Sequence, residues 1–262
     1  MSATTSSDAV AARFADLRRR ERRALVVYVT AGHPTPNDSL ALLRAVARAG
    51  ADVIEVGIPF SDPMADGPVI QQSSQIALAQ GMNVSRVLEL IRAAALDIPV
   101  VLFSYLNPLL AAGSRILEHA AAAGAHGVLV TDLPVGADPE RERWLGDGPL
   151  AFVRLVAPTT PTDRMHEIAA HGGGFVYLIS RTGVTGERRD ISADLAPTIA
   201  RLRSATMLPI CVGFGISTPA QARAVGALAD GVVVGSAVVR EAGTSIERAA
   251  ALVASMRRAL DT

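Results

Sequence analysis

Eight short apolar runs rich in β-branched residues, each followed by a helical pattern, constrain this chain more than any other feature. They lie at residues 25–29, 53–56, 100–103, 128–130, 152–156, 175–179, 210–212 and 232–234. Runs of this kind read as strands buried on both faces, and their alternation with helices makes them parallel, each joined to the next by a crossover helix. Helix starts are marked by Thr35 before Pro36, and by Thr218, Pro219 and Gln221 in capping-box spacing. Thr160, Pro161 and Asp163 repeat that spacing before the fifth crossover helix. Eight β/α units in 262 residues favour closure into a (β/α)8 TIM barrel, which takes ~250 residues, over an open doubly wound sheet. The expected fold is therefore α/β: a single (β/α)8 barrel domain over residues 1–262, with an extra N-terminal helix that ends in the arginine-rich stretch 18–23.

Composition excludes several functions. The 25 basic and 25 acidic residues cancel, which argues against nucleic acid or an anionic membrane as a partner, since either calls for a basic excess. All of the basic residues are arginine. Without lysine the chain cannot form an imine with a substrate or hold pyridoxal phosphate covalently. Cys211 is the only cysteine, so no intramolecular disulfide forms and a reducing compartment fits. No apolar run reaches membrane-spanning length and no secretory pattern opens the chain, so a soluble, cytoplasmic protein is expected. His119, His126, His166 and His171 fall on helices or in helix-to-strand returns, leaving only His33 in a βα loop. A zinc-dependent mechanism would need several histidines converging there, and no metal is expected. A magnesium ion on Glu55, Asp62 and Asp66 is the lesser alternative.

Barrel enzymes carry their chemistry at the C-terminal ends of the strands, and there the polar residues of this chain collect. Glu55 interrupts the second run, where an ionised group is costly unless function or a partner compensates. The loop that follows holds Pro59, Asp62, Pro63, Asp66, Gly67 and Pro68, a stiff turn-rich segment that can point carboxylates inward. All three tyrosines, Tyr28, Tyr105 and Tyr177, belong to strand ends, as suits a site that borders a planar substrate. The last three βα loops are glycine-rich: RTGVTG (181–186), GFGIS (213–217), and Gly235 with Ser236. Glycine lets backbone amides approach an anion, and a helix N-terminus adds partial positive charge, so these loops read as a phosphate cradle.

The motifs YVTAGHP (28–34), EVGIPFSDPMADGPVIQ (55–71), YLNP (105–108), TDLP (131–134), APTTP (157–161), SRTGVTG (180–186) and GFGIS (213–217) resemble, in order and over essentially the whole length, those of the tryptophan synthase alpha subunits. The resemblance implies cleavage of indole-3-glycerol phosphate to indole and glyceraldehyde 3-phosphate. It also implies an α2β2 complex in which indole passes to a β subunit that carries pyridoxal phosphate, with no cofactor in this chain. Carried over residue by residue, it implies Glu55 as the acid and base, Asp66 at the indole N–H, and Tyr177 beside the reacting centre. Tyr28, Phe214 and Ile216 would border the indole, Gly183, Gly186, Gly213, Gly235 and Ser236 would hold the phosphate, and Gly215 would be a further substrate-binding position. Thr185 would bond Asp66 when its loop closes, and 59–62 with 107–113 would face the β subunit. His33 departs from the aspartate that many members have there.

Overall fold

The computed structural model describes residues 8–179, 194–213 and 215–262. In chain order its elements are α1 (Asp8–Arg19), β1 (Ala24–Thr30), α2 (Pro36–Arg48), β2 (Val53–Gly57), α3 (Pro68–Ala79), α4 (Val84–Ala94) and β3 (Val100–Ser104). They continue with α5 (Leu106–Ala111), α6 (Ile116–Ala123), β4 (Gly127–Val130), α7 (Pro139–Gly146), β5 (Ala151–Val156), α8 (Thr162–Ala170) and β6 (Val176–Ile179). The chain then forms α9 (Leu195–Ala205), β7 (Ile210–Gly213), α10 (Pro219–Gly226), β8 (Gly231–Val234), α11 (Ser236–Ala242) and α12 (Ile246–Leu260). The eight strands run parallel, pair in sequence order and close, β8 returning to β1. This is the expected (β/α)8 barrel with its N-terminal helix.

Six of the strands extend beyond the apolar runs onto a glycine, serine or threonine: Thr30, Gly57, Ser104, Gly127, Gly213 and Gly231 lie in strands. A parallel ladder needs only the peptide groups, so neighbouring strands carry the glycines and the serine despite their poor β preference. The capping box at Thr218 and Gln221 forms, and Thr35 caps α2. Thr160 does not cap α8: Pro161 takes that position, and the Thr160 hydroxyl instead accepts from the Ala157 N–H at 3.1 Å. The spacing signal failed there because a local turn engaged the hydroxyl first.

Alternation along each strand sorts the core into two shells. Leu25, Val27, Ile54, Val56, Leu102, Val128, Leu178, Val212 and Val234 face the helices. Val26, Tyr28, Val53, Phe103, Leu129, Val153, Phe175, Tyr177, Cys211 and Val233 fill the lumen. Val10, Phe14 and Leu17 of α1 pack into that inner cluster, the Phe14 ring 5.5 Å from Phe175. Burying each of the three contributes roughly 1.5–3 kcal/mol. Asp52, at the start of β2, accepts from the Leu25 N–H (2.9 Å), Arg13 (2.7 Å) and Arg257 of α12 (2.8 Å). One buried carboxylate thus ties both ends of the described chain to the N-terminal end of the barrel, leaving the opposite end for chemistry.

Candidate active site

Glu55 lies in the lumen with 1% of its surface exposed, and neither carboxylate oxygen has a hydrogen-bond partner among the described residues. Strand pairing puts it opposite Tyr28. An unpaired carboxylate in this setting keeps its proton, and burial raises the Glu55 pKa to about 8.

Asp66 reaches the same end from the loop between β2 and α3. Burial raises its pKa to about 6, opposed by a hydrogen bond from the Tyr105 hydroxyl at 3.1 Å. That hydroxyl also accepts from the Ala65 N–H at 2.9 Å, and the Gln71 amide donates to the Asp66 carbonyl at 2.9 Å. The loop is therefore held at successive residues. Glu55 and Asp66 have separated proton affinities, so near neutral pH one is an acid and the other an anion.

Two tyrosines close around the carboxylates. The Tyr177 phenol is fully buried; burial first, then the fields of Glu55, Cys211 and Asp66, raise its pKa well above the ordinary value. A Cβ at Gly213 would sit 2.0 Å from its oxygen, so only glycine at that position of β7 admits the phenol. On the other side of the lumen a Cβ at Gly57 would sit 2.1 Å from the Tyr28 oxygen. Tyr28 also meets Phe103 edge to face, ring centroids 5.1 Å apart. Gly235 lies against Tyr28, where an added Cβ would be 3.4 Å from the tyrosine Cβ, and Ser236 opens α11.

The structure thus gathers Glu55, Asp66, Tyr28, Tyr177, Gly213 and Gly235 at one end of the barrel. Ile216 is buried, and it packs in the outer shell rather than in the lumen with Tyr28. Gly215 adopts a φ of +80° with open space where a Cβ would stand. Gly183, Thr185, Gly186 and Phe214 lie outside the described residues. Tyr105 was recognisable from the sequence only as a strand-end tyrosine; its bond to Asp66 needs the distance across the rim. No group of three histidine, cysteine or acidic side chains among the described residues is placed to hold a metal ion. A separate cavity of about 750 Å³ opens on the outer flank beside Glu142, Arg154 and Gly173 and is lined by none of the site residues above.

By fold the protein is a (β/α)8 barrel, with paired carboxylates at the end where barrels of this class place their catalytic groups. The family model described as tryptophan synthase alpha chain matches residues 14–261. The tryptophan synthase alpha chain of Desulfatibacillum aliphaticivorans is 51% identical over 231 residues, 87% of either chain. That of Laribacter hongkongensis is 48% identical over 257 residues, covering 95% of this chain and 97% of its own. Among solved structures, Mycobacterium tuberculosis tryptophan synthase superposes with a TM-score of 0.90 at 32% identity, covering 97% of this chain and 98% of that one. Tryptophan synthase subunit alpha from Legionella pneumophila gives 0.89 at 33% identity, with 99% of both chains covered. The chain belongs to the tryptophan synthase alpha chain family.

Proposed function

We propose that Glu55 and Asp66 carry the family reaction in this chain, the cleavage of indole-3-glycerol phosphate to indole and glyceraldehyde 3-phosphate. The observation that supports this most is the split between the two buried carboxylates, one near 8 and the other near 6.

Breaking a bond to an aromatic carbon requires the ring to become an electron sink first. Protonated Glu55 delivers its proton to indole C3, which turns the ring into an indolenine cation. Ionised Asp66 faces the ring N–H and stabilises the positive charge that gathers there. The Glu55 carboxylate then takes the proton of the glycerol hydroxyl next to the bond. Those O–H electrons form the aldehyde C=O, the C–C bond breaks, and its electrons restore the aromatic indole. Glu55 ends protonated, ready for the next turnover.

Tyr177 orients Glu55 or the substrate beside the reacting carbons. Tyr28 and Phe214 border the indole, while Gly183, Gly186, Gly213, Gly235 and Ser236 hold the phosphate with backbone amides and the serine hydroxyl. Thr185 bonds Asp66 when its loop folds over the site. No cofactor is needed in this chain for the acid–base steps. Indole passes to a β subunit in an α2β2 complex, where pyridoxal phosphate does the later chemistry. A single domain over residues 1–262 performs the cleavage, and the buried free thiol of Cys211 suits the cytoplasm.

The test is steady-state indole release by the purified chain and by Glu55→Gln and Asp66→Asn, with and without its β subunit. Each substitution is expected to cost at least 100-fold in kcat, about 3 kcal/mol of transition-state stabilisation. Either variant turning over within tenfold of the parent would remove that residue from the mechanism.

A further inference from the structure

The Tyr105 side chain joins two neighbouring segments of the rim. The first is the loop between β2 and α3, which carries Asp66; the second is α5. Each presents an exposed large apolar residue, Met64 on the loop and Leu110 on the helix. Resting on the reading above, these segments also face the β subunit.

We propose that Tyr105 is a positioning residue that holds Asp66 in the orientation the cleavage needs and transmits docking of the β subunit on α5 to that carboxylate. Its hydroxyl uses its one proton on Asp66 Oδ2 (3.1 Å) and a lone pair on the Ala65 N–H (2.9 Å). Donation to Asp66 favours the ionised carboxylate, the form that meets the indole N–H. Its ring, 4% exposed, lies 5.2 Å from the Phe60 ring at 37°. Side chain and stacking thus grip the loop at three residues.

The backbone of the same residue begins α5. Tyr105 occupies the N-cap position without a side-chain cap, and the Leu106 N–H is satisfied instead by Asp132, from the end of β4, at 2.8 Å. The helix has only six residues, so it has little internal bonding to resist displacement. Any shift of α5 on docking moves Tyr105 with it. Hydrogen bonds weaken steeply with length and angle, so displacement of well under ~1 Å is enough to alter the hold on Asp66. Among the described residues, the titratable groups sharing this field are Glu55 on β2 and the phenols of Tyr28 on β1 and Tyr177 on β6. Tyr105 hydrogen-bonds Asp66 directly.

The experiment uses the full-length chain with Tyr105→Phe, which keeps the ring and removes the hydroxyl, and Asp132→Ala, which removes the α5 cap and leaves the Asp66 bond in place. Indole release is followed from pH 5.5 to 9, alone and with the cognate β subunit. For Tyr105→Phe, kcat is expected to fall at least tenfold with KM within about twofold, the acid limb to move upward, and stimulation by the β subunit to drop. For Asp132→Ala, basal rate and pH profile are expected to stay within about twofold of the parent while stimulation falls severalfold. A Tyr105→Phe protein with the parental acid limb and stimulation overturns the proposal. Should that variant fail to fold, undiminished stimulation of Asp132→Ala overturns it equally. Absence of indole release from the parent chain would instead strike the reaction assignment itself.

Discussion

Glu55→Gln removes a lumen carboxyl whose pKa burial raises and tests that burial without any substrate. The glutamate titrates near 4.5 in the unfolded chain and near 8 in the folded one. A raised folded pKa means that its contribution is favourable below the unfolded value and is lost as the pH climbs through the folded one. By linkage, the folded chain is weakened relative to an untitratable side chain by roughly 1 kcal/mol at pH 5, about 3 kcal/mol at pH 7 and nearly 5 kcal/mol at pH 9. Glutamine introduces a buried amide whose own cost, about 1–3 kcal/mol, does not vary with pH. The clean quantity is therefore the change in the stability difference between pH values. Urea unfolding of parent and variant at pH 5, 7 and 9 should show Glu55→Gln gaining about 4 kcal/mol on the parent from the lowest to the highest pH. A stability difference that stays flat across that range would mean that Glu55 is ionised in the folded chain, and the acid role assigned to it would fail.

The remaining predictions concern catalysis and packing. With Asp66 required as the anion and Glu55 as the acid, kcat/KM should follow a bell with limbs near 6 and near 8, and Asp66→Asn should abolish the acid limb along with most of the rate. Gly57→Ala places a Cβ 2.1 Å from the Tyr28 oxygen and should destabilise the barrel by about 1–3 kcal/mol. Combining it with Tyr28→Ala should cost less than the two single changes summed, as a double-mutant cycle in urea would show. Asp52→Ala leaves the buried Arg257 guanidinium and the Leu25 N–H short of a partner. It should lower stability by about 3–5 kcal/mol in thermal or urea unfolding, with KM for the substrate unchanged.

Much of the fold was legible because parallel strands in a barrel are buried on both faces and therefore read as plain apolar runs. What was hidden depends on distance. Asp52 and Arg257 are 205 residues apart in sequence, and nothing local marks either as half of a buried ion pair. Glu55 stood out because a carboxylate inside an apolar run has few structural uses. Tyr105 did not, because its partner Asp66 lies on another loop and no sequence spacing encodes a contact across the rim. Gly57 and Gly213 look like ordinary strand-end glycines until the tyrosines of the preceding strands are seen lying over them. Thr160 carried a capping signal that a nearby turn claimed instead.

The proton on Glu55 at neutral pH is the point on which the mechanism turns, and it can be read without turnover. A carbon-13 carboxyl NMR titration of the folded chain, with the Glu55 resonance assigned by its loss in Glu55→Gln, should give a midpoint near 8. A midpoint in the ordinary carboxylate range, near 4–5, would show that Glu55 enters the reaction already ionised and would contradict its role as the acid.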